Sequence, residues 1–199
     1  ANIPAGATGV IIERQHVASA GLRSAGVRKN GSTDTWPYGQ LWNLCHDYQV
    51  AGVDANRVFE AQIESLTDIK IWLIGYFMSP VTFETNGISK ALGTTGAWLD
   101  IIYSEAPTDA DGALWMIRNT AAAEYYGGTR KNSSTDESYG QLDYNAPRAF
   151  FTGLDSDRTA QGKIANVAVD HYVVGYAKPA PKTIIKLNGN VKLSGEVKF

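Results

Sequence analysis

Apolar and polar side chains alternate along several short stretches of the chain, which predicts antiparallel strands with one face in a core. In "RVFEAQIES" the residues Phe59, Ala61 and Ile63 share one face, and glutamate and glutamine side chains take the other. The stretch "DIKIWLIGYF" becomes apolar on both sides between Trp72 and Ile74, which predicts a strand covered on both faces at its end. Such stretches recur between Gly, Pro and Asn turn signals, so the sequence predicts an all-β fold of jelly-roll-like β-sandwiches.

A polar string occurs twice, as "VRKNGSTDTWPYGQL" at 27–41 and as "TRKNSSTDESYGQL" at 129–142. Further matches follow in the same order: "GVDANR" with "GLDSDR", and "IWLIGYF" with "HYVVGYA". Upstream we align "GATGVII" from Gly6 with "GAWLDII" from Gly96, and we expect the extra residues of the second copy to form a loop insertion or a longer hairpin. A self-match kept in register along most of each copy indicates tandem duplication.

The duplication predicts two β-sandwich domains, at 1–78 and 96–178. The segment 79–95, with its Pro, Asn-Gly and Gly-Thr-Thr, is expected to be a linker with one short strand. A glycine-tyrosine pair ends the last strand of both copies, and a glycine inside a strand predicts a bulge or a close approach of another backbone.

Residues 179–199 form a third kind of segment, in which the pattern "apolar, Lys, apolar, polar, Gly, polar" repeats every six residues. One interpretation is a hairpin on the second domain. The other is an extended docking arm that pairs with a partner, because this stripe is too weak to fold alone. The apolar positions of the predicted arm are Ile185, Leu187, Val191, Leu193, Val197 and Phe199.

Composition narrows the classes of function. The net charge of −2 and the pI near 5.9 provide no basic surplus for nucleic acid. No apolar run approaches the roughly 18 residues that a membrane span needs, and the first residues lack the pattern of a signal peptide. The single cysteine, Cys45, excludes an intrachain disulfide and a multi-cysteine metal site.

The sequence contains few residues in patterns that could support catalysis or bind a metal ion. The histidines are His16, His46 and His171, and none is matched by a histidine in the other copy. We find no nucleophile motif, phosphate loop, zinc motif or dinucleotide fingerprint, so we predict no enzyme and no cofactor. Asp54 and Asp155 begin "DANR" and "DSDR", which could supply calcium ligands or Asx turns; we favour the turns because too few oxygens are present for calcium.

The repeated string has two interpretations. Its Asn-Gly or Asn-Ser step predicts a type I′ hairpin turn with a flanking structural ion pair, which we favour. Alternatively, its charged and aromatic residues bind a glycan or an acidic partner. The candidate contact residues are Arg28, Lys29, Asp34, Trp36 and Tyr38 in the first copy and Arg130, Lys131, Asp136 and Tyr139 in the second.

The strings "GVRKNGSTD" and "GVDANRVFEA", with a strand ending "LIGY", resemble a repeated β-rich module of tailed-bacteriophage structural proteins. The second copy departs from it where "VFEA" becomes "TAQG". The resemblance implies a virion component without catalytic residues. We therefore expect a non-enzymatic capsid decoration (cement) or fibre subunit, forming a dimer or trimer and docking on capsid or other virion proteins through strand pairing. The alternative is a carbohydrate-binding adhesin module that recognises a host surface glycan.

Overall fold

The structure is a computed structural model that describes residues 3–179. This part contains fourteen β-strands and no helix, so the all-β prediction is confirmed. The apolar positions predicted for the C-terminal arm lie outside the described residues. The strands are β1 (Ala7–His16), β2 (Arg23–Lys29), β3 (Gly39–Leu41), β4 (His46–Gly52), β5 (Phe59–Ile63), β6 (Ile69–Met78), β7 (Val81–Ser89), β8 (Leu99–Ile102), β9 (Gly112–Asn119), β10 (Tyr125–Lys131), β11 (Gly140–Leu142), β12 (Pro147–Gly153), β13 (Thr159–Ile164) and β14 (Val169–Ala177).

The strands form four antiparallel sheets whose order repeats. The first copy contains the sheets β4-β1-β6 and β3-β2-β5. The second contains β12-β9-β14-β7 and β11-β10-β13-β8. Strands β9 to β14 therefore occupy the places of β1 to β6, and β7 and β8 extend one edge of each sheet in the second copy.

This order corrects the upstream alignment. The stretch aligned with β1 from Gly96 onward contains β8, which pairs with β13. The true counterpart of β1 is β9, because each lies between the fourth and sixth strands of its copy. β1 and β8 share a short apolar stretch, "GVII" and "LDII", and such local composition does not reveal which sheet a strand joins.

The segment 79–95, predicted to be a linker, contributes a nine-residue strand. Strand β7 pairs with β14, and its first residue, Val81, lies opposite Ala177. This segment is therefore part of a sheet of the second copy, beyond the single short strand expected within a linker. Whether each copy folds as an independent domain stays a prediction.

Each pair of sheets encloses an apolar core. Val10 and Ile12 of β1 pack with Val27 of the facing sheet in the first copy, and Trp115 packs with Ile164 in the second. A third cluster joins the copies, because residues of β4 and β7 pack against β9 and β14 in it. The buried members of this shared cluster are Val50, Phe83, Leu114, Met116 and Val174.

The glycines in the last strand of each copy follow matching irregularities. The register of β6 against β1 shifts at Ile74, and the register of β14 against β9 shifts at Val174. Gly75 and Gly175 come directly after these residues, so the predicted bulge is confirmed in both copies.

Candidate functional site

The repeated string begins at the end of β2 and of β10, where it forms a turn. In the first loop (residues 29–34) the Ser32 amide donates to the Lys29 carbonyl at 3.0 Å, and Gly31 has a φ of +80°. Asn30 does not have positive φ, whereas a type I′ turn requires it at both central residues. The type I′ prediction is therefore wrong. In the second loop (residues 131–136) Ser133 takes the equivalent conformation with a φ of 63°.

The Asx-turn prediction is confirmed. One Asp54 carboxylate oxygen accepts from the amides of Asn56 and Val58, each at 2.8 Å. The other accepts from the side-chain amide of Asn30 at 2.6 Å. The Val58 amide and the Asn30 side chain lower the pKa of Asp54. Its carboxylate oxygens are thus engaged by protein donors, which explains why the string retains its asparagine.

The second copy reproduces this arrangement. One Asp155 oxygen accepts from the amides of Asp157 at 2.9 Å and Thr159 at 2.8 Å, and the other accepts from Asn132 at 2.7 Å. The Asn132 side chain, followed by the Thr159 amide, lowers the pKa of Asp155. Residues 3–179 contain no cluster of three or more histidine, cysteine, aspartate or glutamate side chains placed to hold a metal ion.

The arginine of the string ties each loop to the adjacent strand. Arg28 donates to Glu60 at 2.7 Å and to the carbonyl of Asp34 at 2.6 Å. Arg130 makes the equivalent bonds to Gln161 at 2.9 Å and to the carbonyl of its own loop at 3.1 Å. The expected ion pair is therefore present in the first copy as Arg28–Glu60. In the second copy the acceptor on the neighbouring strand is an uncharged glutamine, and the ion pair of Arg130 is with Glu137 at 3.6 Å.

Three other candidate contact residues of the first copy make hydrogen bonds or stacking contacts with other parts of this chain. The Lys29 ammonium donates to the carbonyl of Phe83 at 2.9 Å, and Asp34 accepts from the amide of Gly87 at 2.6 Å. The Trp36 ring stacks on Tyr172 of the second copy, with centroids 4.4 Å apart and planes 5° apart.

Tyr38, unlike the three residues above, is described by the groove that it lines. It lines a groove of about 120 Å³ together with Arg28, Asp34 and Glu60. This groove therefore brings three of the candidate contact residues of the first copy together, but its arginine and glutamate are already paired with each other.

The candidates of the second copy separate into two groups. Arg130 lies 4.3 Å above the Trp98 ring, and Tyr139 contacts the same indole edge-on with centroids 6.4 Å apart. Lys131 and Asp136 are exposed and lie outside that cluster. The cluster around Trp98 could not be found from the repeat, because β8 has no counterpart in the first copy.

The histidines do not converge. His171 is fully buried, and one ring nitrogen lies 3.2 Å from the carbonyl of Gly128. Burial lowers the pKa of His171 to about 4, partly offset by this bond. His16 is buried beside the carbonyl of Trp42. His46 is exposed and bonds to Glu13 at 2.7 Å.

An exposed aromatic surface lies on the sheet β4-β1-β6 and includes Trp72, which the sequence pattern had placed in a covered part of β6. Trp72 lies opposite Glu13 of β1, which in turn lies opposite Tyr48 of β4. Trp72 is 55% exposed and Tyr48 is 47% exposed, and the His46 ring lies 5.9 Å from the Tyr48 ring. We call these four residues the aromatic face. The expectation that β6 is covered on both faces at its end is wrong within the described residues.

A change in the repeated string explains this exposure. In the second copy the counterpart of Trp72 is Tyr172, which Trp36 covers. The matching position of the second string has lost one residue and its tryptophan, since "DTWPY" becomes "DESY". No indole is therefore available to cover Trp72, and this difference between the strings was the available sequence signal.

No protein-family model, curated protein or solved structure matches the chain. Among the described residues, no helix is long and apolar enough to cross a membrane.

Proposed function

We propose that the protein is a non-enzymatic structural subunit of a virion, a capsid decoration or fibre protein, and that it attaches to a neighbouring virion protein through the aromatic face. The observation that carries this proposal is the pair of half-exposed rings, Trp72 and Tyr48, on one face of the sheet β4-β1-β6. Exposed tryptophan and tyrosine side chains dominate the energetics of many protein interfaces.

The surroundings of the face suit a specific contact. Glu13 and His46 lie between and beside the rings and are hydrogen-bonded to each other, so their positions are fixed before a partner binds. A pre-ordered surface loses little conformational entropy on binding. The resemblance of the repeated strings to phage structural modules supports a virion protein as the partner.

The test uses purified particles of the virus that encodes the chain, stripped of this protein and then mixed with it. Trp72→Ala should weaken rebinding about 30-fold, because truncating a central interface aromatic costs about 2 kcal/mol or more. Leu66→Ala is the matched control, since Leu66 is 82% exposed and lies outside the face. Equal rebinding of both variants would contradict the proposed surface.

A carbohydrate-binding module is the second candidate, and the same face favours it. Two exposed rings beside a carboxylate and an imidazole provide stacking surfaces and hydrogen-bonding groups for a sugar. A glycan array would discriminate the two functions. Specific glycan binding that Trp72→Ala abolishes, without loss of particle binding, would assign the face to sugar.

A further inference from the structure

Strand β7 completes the first copy as well as extending a sheet of the second. Its Phe83 ring packs over Gly9 and Gly52, where an added Cβ would lie 2.2 and 2.6 Å from Phe83 atoms. The same ring lies 5.3 Å from that of Phe77 at the end of β6. A large apolar side chain thus closes this end of the first copy, and the two glycines make room for it.

The second copy keeps the glycines but has an open groove. Gly112 and Gly153 hold the same positions by strand register. Within residues 3–179 the nearest atoms to an added Cβ lie 3.5 and 3.3 Å away. The groove between the ends of β9, β12 and β14 has a volume of about 280 Å³. Phe151 in its wall is 59% exposed, whereas its counterpart Val50 is buried.

The two loops differ in the same way. In the first loop Asp34 accepts from the Gly87 amide, and the Thr33 amide donates to Asn86 at 2.8 Å. Strand β7 therefore supplies hydrogen-bond partners for the Asp34 carboxylate and the Thr33 amide of the first loop. The second loop keeps the corresponding aspartate, Asp136, but within the described residues its side chain accepts only from its neighbour Ser134.

The outer edge of β6 is a third feature that differs between the copies. In the second copy the equivalent edge pairs with β7, and an added Cβ on Gly175 would lie 2.4 Å from the carbonyl oxygen of Thr82. No strand among residues 3–179 pairs with the outer edge of β6. On the outer face of this strand the side chains of Ile74 and Tyr76 are 51% and 52% exposed, and Gly75 is retained between them.

The end of the described chain lies beside the short connection between β6 and β7. The Lys178 amide donates to the carbonyl of Pro80 at 3.3 Å, two residues beyond the end of β6. Residues 180–199 thus begin near the point from which an antiparallel strand would run along β6. In the same way, β7 begins beside the end of β14 and runs along it.

The sequences after β6 and after β14 also correspond. "PVTFETNGISK" at 80–90 aligns with "KTIIKLNGNVK" at 182–192, with Asn-Gly and the final lysine in common. In this alignment Ile185 takes the place of Phe83, and Asn188-Gly189 takes the place of Asn86-Gly87. Counted from the matching glycines, Gly75 and Gly175, the connection is two residues longer in the second case.

We propose that residues 183–192 of the same chain pair antiparallel with the free edge of β6, as the counterpart of β7. Ile185 fills the groove over Gly112 and Gly153. Asn188 and Gly189 bind the second loop, which explains why its aspartate is retained. The two copies thereby exchange the strand that follows each of them, and the aromatic face stays open to other partners.

Hydrogen exchange of the full chain, followed by mass spectrometry of peptides, tests the proposal. In the native chain the outward amides of β6 should exchange about 10-fold or more slowly compared with the Ile185→Asp variant, because paired amides exchange only after opening. The second loop should lose protection in the same variant. Val197→Asp, outside the paired stretch, is the matched control and should leave both regions protected.

Two results would overturn the proposal. One is equal exchange of β6 in the native chain and in Ile185→Asp. The other is that dilution removes both the dimer and the protection of β6. In that case the strand that pairs with β6 would come from a second copy of the chain. Protection of β1 and β4 checks that each variant remains folded.

Discussion

The buried histidine of the second copy makes stability depend on pH in a calculable way. Burial lowers the pKa of His171 from 6.5 to about 4. Its Nδ1 atom has no hydrogen-bond partner, so the neutral ring is the form that fits this core. Between these pKa values the unfolded chain binds a proton that the folded chain does not bind. His171 therefore costs the folded state little above about pH 6.5. Below that pH it reduces the free energy of unfolding progressively as the pH falls towards 4.

The expected loss follows from the size of the pKa shift. Each pKa unit corresponds to about 1.4 kcal/mol, so this histidine should cost the folded state roughly 3 kcal/mol at about pH 4. His171→Gln removes the titration, and its amide can still donate to the carbonyl of Gly128. Urea denaturation at about pH 7.5 and about pH 4 should show that the native chain loses roughly 3 kcal/mol more than the variant. The same pH dependence in both proteins would refute this reasoning.

Substitutions at three further positions test the packing at Gly9 and Trp36 and the Asx turn at Asp54. Gly9→Ala should destabilise the fold by about 1–3 kcal/mol in urea denaturation, because the new Cβ overlaps the Phe83 ring. Trp36→Ala should cost about 2–4 kcal/mol by the same assay through lost burial and stacking on Tyr172, and an unchanged midpoint would contradict that contact. Asp54→Ala should lower the melting temperature more than Asp54→Asn in calorimetry, since asparagine keeps one acceptor oxygen for the turn amides.

Features that depend on neighbouring residues could be predicted from the sequence. The Asx turns at Asp54 and Asp155 need only a carboxylate and amides two and four residues later. The bulges at Gly75 and Gly175 follow from a glycine inside an apolar strand. The duplication was visible because these local requirements preserve residue identity in both copies.

Features that depend on how the copies meet could not be predicted. Trp36 and Trp72 both lie in mixed apolar stretches, yet one is stacked between the copies and the other is half exposed. Burial of each ring is decided by a segment far away in the chain. Likewise β7 resembles a linker in sequence, because its turn signals surround a strand whose partner, β14, lies about 90 residues later.

A disulfide trap tests most directly whether the two copies exchange the strands that follow them. Thr82 lies opposite Tyr176 in the β7 pairing, so the proposed strand would bring Ile184 opposite Tyr76. Opposed Cβ atoms lie about 4.5–5.5 Å apart, which a disulfide can bridge after modest adjustment. In a Cys45→Ser background, Tyr76→Cys with Ile184→Cys should therefore form an intramolecular bond. Tyr76→Cys with Ile185→Cys should not, since a one-residue shift places the side chains on opposite faces. Equal cross-linking of both pairs, bonding only between chains, or no bond would show that the copies do not exchange these strands.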